Sequence, residues 1–464
     1  MIKIEGGWLT IGKLAEITGG KYTGKRRDEI IKNISTDTRD ICGDTLFIAI
    51  KGEKYDGHDF MDDAVIKGAS CVLADHILSE AQSEYTVLAE NTLTAFGAVA
   101  TYHKKRIDPL TAAVTGSVGK TTTKEFIYSV FSERYVTLKT EGNFNNEVGL
   151  PKTMLLLEQR HEAAVFELGM SGKGEIGRLS LCAEPDIAVI TNIGTAHIEY
   201  LKTKENIRDA KMEITKGLKQ GGTLILNGDD PLLKGAENGV CAANVVYAAS
   251  RNTRAQYKVN NIRRDGGNMI FDINGVSGIR IPVIGEHNVL DAAYAYAAGK
   301  AARMTDDEIK RGLLNFRNTG MRQRIYETCD YTVIEDCYNA SPESMTAALK
   351  LLGSYKNNGR KIAVLGDMRE LGEMSAGLHR EIGKAAAQNN IGALFTFGKA
   401  ASEIGAGYTS ESICSGELYS FENLSDVKTI GEALKNYIKA GDAVLFKASR
   451  AVELERVIKY LKGE

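Results

Sequence analysis

A phosphate-binding loop between a strand and a helix is the feature that most constrains how this chain folds. The segment LTAAVTGSVGKTTTKE spans 110–125, where residues 110–114 predict a short buried strand and residues 120–130 a helix. Gly116 and Gly119 permit a tight turn between the two elements. In such a loop backbone N–H groups and the helix N-terminus hold phosphate oxygens, Lys120 reaches the terminal phosphates and the Thr121 hydroxyl ligates magnesium. Although Val114 replaces the first glycine of the pattern G-x-x-x-x-G-K-[ST], we expect a nucleoside triphosphate site here.

Strand and helix signals alternate along the rest of the chain, which predicts an α/β protein. Because 464 residues exceed what one core usually serves, we expect three domains, at 1–104, 105–318 and 319–464. The basic stretch HKKRIDP at 103–109 is interpreted as a solvated linker. The central domain is predicted to be a parallel-sheet, P-loop ATPase-like unit with an antiparallel hairpin appended at 269–283, and the C-terminal domain to be Rossmann-like.

Charge and composition exclude several classes of protein. A formal net charge of −2 gives no basic surface for nucleic acid or for a membrane. The seven cysteines form no C-x-x-C pair and are typical of reduced thiols. The N-terminal MIKIEGGWLT lacks a basic region followed by an apolar run, and no stretch approaches about 18 apolar residues. We therefore expect a cytoplasmic chain that binds no nucleic acid and does not insert into a membrane.

Polar residues at the ends of other predicted strands are candidates for the same site. Glu167 ends the strand in AAVFELG, and a carboxylate beside a phosphate loop is a good magnesium ligand, although a solvated acid is the alternative. His197 follows the strand in TNIGTAHIE and could complete a metal or phosphate site, although a lone histidine is more often structural. Lys211, in DAKMEITKGL, taken alone is interpreted as a solvated helix lysine.

Taken together, these segments resemble the Mur ligase family, the ATP-dependent amide-forming enzymes of peptidoglycan precursor synthesis. The resemblance extends through essentially the whole chain. The segments that carry it are STDTRDICGDTLFIAIKGEKYDGHDF, TGSVGKTTTKE, EGNFNNEVGLP, FELGM, TNIGTAHIE, AKMEI, GEHNVLDAAYA, GMRQR, DCYNASPESM, LGDMRELG and FKASR.

The resemblance implies a role for each matching residue. It implies ATP contacts at Thr115, Gly116, Ser117, Val118, Gly119, Lys120, Thr121, Asn288, Arg322 and Asp336. It implies magnesium ligands at Thr121, Glu167, His197 and a carbamylated Lys211, with Lys120, His197 and Lys211 as the catalytic residues. It implies peptide-substrate contacts at Asn145, Asn146, Asn339, Lys447, Ser449 and Arg450, and uridine-nucleotide contacts at Ser35, Thr36, Asp37 and Arg39 in a UDP-sugar-peptide-binding domain. Asp291 stands where many members have a second Asn.

The reaction implied by the resemblance activates a peptide carboxylate with ATP and Mg²⁺ and then transfers it, from an acyl phosphate, to an amine. Within the family the segments DCYNASPESM and GDMRELG favour UDP-N-acetylmuramoyl-tripeptide and D-alanyl-D-alanine as substrates, and we expect a monomer. The third residue of the tripeptide, meso-diaminopimelate or lysine, stays open. The alternatives are a ligase for the third amino acid, whose DNPR-type motif is missing from this sequence, a folylpolyglutamate-type ligase, and a nucleotide-dependent binding switch without ligase activity.

Overall fold

The computed structural model describes residues 1–236, 244–318, 320–411, 416–422 and 427–464. Over these ranges the chain forms three α/β units in series, each built on its own sheet. The predicted fold class is confirmed, whereas the domain boundaries stay predictions. Cys241, Cys414 and the expected boundary at residue 319 lie outside the described residues.

The N-terminal unit is a small, mostly parallel sheet in the order β1-β2-β3-β4-β5, of which only the β1–β2 pair is antiparallel within the described ranges. Thr10 caps the first helix through its side chain, and Gly19 ends it in the left-handed conformation, as is typical of these residues at helix ends. The elements are β1 (Ile2–Lys3), α1 (Ile11–Thr18), β2 (Asn33–Ser35), β3 (Thr45–Ile48), α2 (Met61–Ile66), β4 (Ala69–Ala74), β5 (Thr86–Leu88) and α3 (Thr92–Ile107).

Helix α3 joins the N-terminal unit to the central one, so the linker expected at 103–109 is wrong up to Ile107. His103 and Lys104 are buried rather than solvated, because their polar atoms bond backbone oxygens of the central unit, at Leu157 and Glu184. Three basic residues in the last turn suit the negative end of a helix, and the helix ends at Ile107, two residues before Pro109. The basic stretch is therefore a helix end that belongs to both units.

The central unit is a large sheet in the order β14-β13-β12-β11-β10-β9-β6-β8-β7, parallel from β7 to the β11–β12 pair and antiparallel beyond it. The predicted hairpin is confirmed, although its second strand ends at Ile281. The elements are β6 (Leu110–Thr115), α4 (Lys120–Phe131), β7 (Thr137–Lys139), α5 (Gly149–Met154), β8 (Ala163–Glu167), α6 (Glu175–Ala183), β9 (Ile187–Ile190), α7 (Ile198–Leu201), α8 (Lys204–Met212), β10 (Thr223–Asn227), β11 (Asn244–Ala249), β12 (Tyr257–Asp265), β13 (Asn268–Ile273), β14 (Val276–Ile281), α9 (Glu286–Ala301) and α10 (Asp306–Leu314).

The C-terminal unit is a sheet in the order β15-β16-β20-β17-β18-β19, parallel except for the edge strand β15. Its three central strands β17, β18 and β20 are almost entirely buried and mostly apolar, as expected for a sheet covered on both faces. The elements are β15 (Arg324–Glu327), β16 (Thr332–Glu335), α11 (Pro342–Ser354), β17 (Lys361–Gly366), α12 (Ser375–Gln388), β18 (Ala393–Phe397), α13 (Ser402–Ser410), β19 (Glu417–Phe421), α14 (Val427–Tyr437), β20 (Ala443–Lys447) and α15 (Glu455–Lys462).

The sheet order places the phosphate loop at a natural binding position. Strand β6 lies between β8 and β9, so the chain winds away from it in both directions. Ligands collect at such a point, outside the carboxyl ends of parallel strands. In the described part of the chain, no helix is long and apolar enough to span a membrane.

Candidate active site

The phosphate loop connects β6 to α4, and two glycines fix its shape. Gly116 has a positive φ, and a Cβ at this position would clash with the Thr191 hydroxyl oxygen. Gly119 also has a positive φ, and its Cβ would lie 2.6 Å from Asp291 Oδ1. Since only glycine fits both positions without a shift of its neighbours, the two glycines are required for the tight turn into α4.

Asn192, after β9, holds the phosphate loop in place from the side. Its side-chain oxygen accepts from the Val118 N–H at 3.0 Å, and its side-chain nitrogen donates to the Val118 carbonyl at 2.9 Å. Two further bonds join the same segments, from Ser117 N to the Asn192 carbonyl and from Gly194 N to Ser117 Oγ. The loop is therefore fixed by the neighbouring strand end as well as by its own glycines.

Lys120, Thr121 and Glu167 meet at the start of α4, as the sequence predicted. The Thr121 hydroxyl donates to Glu167 Oε2 at 2.7 Å, and Asn145 Nδ2 donates to Glu167 Oε1 at 2.9 Å. Lys120 Nζ donates to the carbonyls of Gly116 and Ser117. Burial lowers the pKa of Lys120, partly offset by the negative charge of Glu167.

Lys211 on α8 is buried, with only 2% of its surface exposed, so taking it alone as a solvated helix lysine is wrong. Burial, and then the positive charge of Lys120, hold its pKa well below the ordinary value. No hydrogen bond or ion pair joins Lys211 Nζ to any other part of the chain that the structure describes. Burial therefore favours the neutral amine over the ammonium at this position.

His197 lies at the boundary between the central and C-terminal units. Its Nδ1 is 2.5 Å from Glu370 Oε2, and this contact holds the pKa of Glu370 below its usual value. The residue has a positive φ, which starts α7 abruptly and turns the ring towards the cleft. The predicted metal ligand is thus engaged by a carboxylate of the facing unit.

The C-terminal unit closes the other side of one cavity of about 680 Å³, which the phosphate loop also lines. Asp336 Oδ2 is 2.5 Å from Lys447 Nζ, and Lys447 is buried. The Arg322 guanidinium lies 4.0 Å from the ring centre of Tyr338. Thirteen predicted site residues line the cavity: Ser117, Val118, Gly119, Lys120, Thr121, His197, Asn288, Arg322, Asp336, Asn339, Lys447, Ser449 and Arg450.

Two residues of α9, Asn288 and Asp291, line the cavity beside the phosphate loop. Asn288 Nδ2 donates to the Ile284 carbonyl at 2.8 Å and to Gln323 Oε1 at 2.6 Å. Asp291 lies directly against the loop and accepts from the Thr123 hydroxyl at 3.0 Å. Burial raises the pKa of Asp291 to about 8. Burial therefore favours the protonated form of this carboxyl.

The other residues predicted to face the peptide are held mainly by their own domains. Asn146 Oδ1 accepts from two backbone N–H groups at the start of α5, and Arg450 pairs with Glu455. Ser449 Oγ accepts from the Arg369 N–H at 3.0 Å. Asn339 Oδ1 accepts from its neighbour's N–H.

A second cavity, of about 450 Å³, opens between the N-terminal and central units. Thr36 lines it together with the turn 52–55 and Val148. Asp37 caps the following turn and pairs with Arg39 at 2.5 Å, which holds the pKa of Asp37 well below its usual value. Ser35 Oγ bonds the backbone of the same turn.

The sequence did not identify Glu343, the first acidic residue of α11, as part of the site. Its Oε1 accepts from the Thr195 N–H at 2.8 Å and from the Thr195 hydroxyl at 3.1 Å, across the cavity between the two units. Its position after Ser341 and Pro342 indicates only a helix start. Glu370 and Gln323, which also contact the central unit across this boundary, were not predicted either.

These residues fit a nucleoside triphosphate and a hard divalent cation. Thr115 Oγ1 is buried without a hydrogen-bond partner among the described residues, and the loop glycines leave room for a ligand against the backbone. Thr121 and Glu167 present oxygen atoms 2.7 Å apart, and oxygen is the donor that Mg²⁺ prefers. The positive N-terminus of α4 and the Lys120 ammonium complement the negative charge of a phosphate group.

A P-loop ATPase-like domain between two further α/β domains, with one cavity shared by the last two, defines a Mur ligase: this chain belongs to that family. Three family models match it, described as "Mur ligase family, catalytic domain" at residues 30–102, "Mur ligase middle domain" at 114–299 and "Mur ligase, glutamate ligase domain" at 321–450.

The relatives specify the branch of the family. The chain is 38% identical over 461 residues to the UDP-N-acetylmuramoyl-tripeptide–D-alanyl-D-alanine ligase of Bacillus subtilis (strain 168), covering 97% of this chain and 98% of that protein. It is 30% identical to the Escherichia coli (strain K12) protein of the same name, covering 98% of each. Among solved structures it is similar to MurF from Acinetobacter baumannii, with a TM-score of 0.89, 29% identity and coverage of 98% and 99%. It is also similar to MurF ligase from Thermotoga maritima in complex with ADP, with a TM-score of 0.83, 29% identity and coverage of 93% and 97%.

Proposed function

We propose that this chain is an ATP-dependent ligase that joins D-alanyl-D-alanine to UDP-N-acetylmuramoyl-tripeptide through an acyl phosphate. The observation that carries the proposal is the shared cavity, in which the phosphate loop of one unit faces Arg322 and Asp336 of the next. The relatives with this name match the chain over nearly its full length, which supports the choice of substrates. We propose that it acts as a monomer, since residues of one chain line both sides of the cavity.

The proposed mechanism assigns each residue a physical task. ATP supplies the phosphoryl group that makes the peptide carboxylate reactive towards an amine. Loop amides and Lys120 hold the phosphates, and Lys120 exchanges its bonds to the Gly116 and Ser117 carbonyls for bonds to phosphate oxygens. Thr121 and Glu167 are the proposed Mg²⁺ ligands, and Asn145 orients the Glu167 carboxylate. The facing C-terminal unit excludes water, which would otherwise hydrolyse the activated carboxylate.

We propose separate sites for the three substrates. Asn288 and Arg322 would hold the adenine and phosphate sides of ATP, with Asp336 held in position by Lys447. The turn after β2 and the second cavity support uridine-nucleotide binding, through Ser35, Thr36, Asp37 and Arg39. Asn146, Asn339, Ser449 and Arg450 would contact the peptides.

Lys211 is the residue for which we propose a covalent modification, a carbamate formed with carbon dioxide. The reaction requires a neutral amine, and burial beside Lys120 favours that form. A carbamate would supply oxygen atoms to a cation, and its negative charge would be offset by Lys120. His197 is the proposed second metal ligand once its contact with Glu370 is exchanged.

The function is tested by measuring phosphate release with each substrate omitted in turn. Release that requires both UDP-N-acetylmuramoyl-tripeptide and D-alanyl-D-alanine, with the pentapeptide product identified by mass spectrometry, is the expected result. Turnover of ATP without either substrate would instead indicate a nucleotide switch, and a product formed from a shorter precursor and one amino acid would indicate the third-residue ligase. A panel that varies only the third residue of the tripeptide identifies the preferred substrate.

The carbamate is tested separately, with Lys211→Ala. We expect this variant to lose ligation and to recover part of it with acetate, which restores oxygen atoms in the vacated space. The control is Lys216→Ala, which changes a lysine with an exposed side chain in the turn after α8. Wild-type protein that incorporates no label from isotopically labelled bicarbonate would contradict the modification while leaving the ligase function intact.

A further inference from the structure

A cluster of two histidines and two aspartates lies in the N-terminal unit, outside both cavities. His58 follows Asp56 in the turn before α2, and Asp75 and His76 follow the end of β4. The His58 and His76 rings lie with their centres 3.8 Å apart. One possible ligand atom from each of Asp56, His58 and His76 lies within 4.8 Å of the other two.

Carboxylate oxygens surround the imidazole nitrogens of this cluster. His58 Nδ1 is 2.6 Å from Asp56 Oδ1, His58 Nε2 is 3.2 Å from Asp75 Oδ1, and His76 Nδ1 is 2.8 Å from the same Asp75 oxygen. His58 is 2% exposed, and its Nε2 makes no hydrogen bond within the described chain. The buried ring therefore points an unsatisfied nitrogen towards a carboxylate.

The charge of the cluster is not balanced by the basic side chains around it. Over the described residues, neither Asp56 nor Asp75 forms an ion pair with a lysine or arginine. Lys51, opposite Asp56 in the turn, acts on it only at longer range. With neutral imidazoles the four side chains carry two negative charges, which a divalent cation would neutralise.

We propose that Asp56, His58 and His76 form a binding site for a borderline divalent transition ion, of which Zn²⁺ is the representative, while Asp75 orients the two imidazoles. Two imidazoles and one carboxylate are a donor set that suits such ions, and a solvent oxygen would complete the tetrahedral coordination that Zn²⁺ prefers. The His76 side chain is 49% exposed, so its ring can rotate out of the stack to complete the geometry.

The site would connect three segments of the N-terminal unit. Asp56 and His58 hold the turn that returns to β3, where Gly57 N donates to the Ile50 carbonyl at 2.9 Å. Asp75 Oδ2 accepts from Thr92 N at 3.3 Å, at the start of α3. The turn 52–55 lines the second cavity, so a bound ion would stiffen one wall of the proposed uridine-nucleotide site. The metal site itself does not depend on that function.

The test is Zn²⁺ titration of the full-length protein by calorimetry, after chelator treatment and without nucleotide or magnesium. His76→Ala removes a ligand at the surface without a core cavity, and we expect it to abolish this site or weaken it by about tenfold or more. His161→Ala, in the central unit, is the matched control and should bind as wild type does.

A second readout is the visible spectrum of Co²⁺ as a substitute ion, since tetrahedral Co²⁺ absorbs more strongly than octahedral Co²⁺. We expect an intense band in wild type that is absent in His76→Ala and reduced in Asp75→Asn. The proposal is overturned if wild type binds no Zn²⁺, or if His76→Ala binds it as tightly as wild type, because the metal would then lie elsewhere or nowhere.

Discussion

Glu343→Ala should weaken the closed arrangement of the last two units without touching the phosphate loop. In the structure the carboxylate accepts from both the N–H and the hydroxyl of Thr195, a residue that is 3% exposed. Thr195 is one residue from Gly194, whose N–H donates to Ser117 of the loop at 2.8 Å. When the two units are together, loss of the carboxylate leaves the buried Thr195 N–H without this acceptor. When they are apart, Glu343 does not contact Thr195, so the substitution destabilises only the closed arrangement.

The size of the effect follows from the loss of a hydrogen bond that exists only in the closed arrangement. A hydrogen bond to a charged group contributes about 1.5–3 kcal/mol net, so closure should become roughly tenfold to 150-fold less favourable. Because water reaches the half-buried Glu343 in part, the lower end of the range is expected. If closure precedes chemistry, kcat/KM falls by the same factor, whereas the affinity of the isolated nucleotide site changes little.

The assay pairs steady-state ligation kinetics with small-angle X-ray scattering in the presence of a non-hydrolysable ATP analogue and the UDP-sugar peptide. Glu343→Gln, which retains an acceptor oxygen, should lose less than Glu343→Ala. Glu381→Ala, at an exposed position of α12, is the matched control. If Glu343→Ala closes to the same extent as wild type and ligates at the same kcat/KM, the coupling inferred from the Thr195 contacts is wrong.

Three further predictions concern the phosphate loop and its neighbours. Gly116→Ala should abolish nucleotide binding in a calorimetric titration, because its Cβ would clash with Thr191; unchanged affinity would contradict the loop geometry. Lys120→Ala should reduce ligation by about a hundredfold or more while leaving the melting temperature unchanged, and near-normal turnover would argue against its assigned role. The folded-state pKa of Asp291 is about 8, above its ordinary 3.8, so wild type should lose stability as pH rises across that interval. Asp291→Asn, which keeps an acceptor for Thr123, should show a flatter profile by urea unfolding, and identical profiles would refute the assignment.

Local patterns were sufficient to predict the core of the site. The strand, the glycines and the helix of the phosphate loop are adjacent in sequence, and Glu167 follows from the rule that carboxyl ends of parallel strands share an edge. The confirmed hairpin at 269–281 rests on an Asn-Gly turn between apolar runs, which is equally local.

Contacts between domains could not be predicted in the same way. Glu343 and Thr195 are 148 residues apart, and nothing in either segment specifies the partner. The basic stretch at 103–107 failed for a related reason, because Lys104 is buried by the central unit and not by its own helix. Burial of Lys211 likewise depends on packing among distant segments, so its neighbours in sequence indicate a solvated residue.

Because α3 is continuous, the junction between the N-terminal and central units should differ in stiffness from the junction between the central and C-terminal units. One helix crosses from the N-terminal to the central unit, whereas the described residues between α10 and β15 form neither helix nor strand. The first junction should therefore be stiff and the second a hinge. The phosphate loop and the proposed uridine-nucleotide site would move as one body, and both can bind their ligands before the hinge swings. The incoming dipeptide depends on the swing, so the kinetics of this enzyme should show compulsory order, with the amine substrate last.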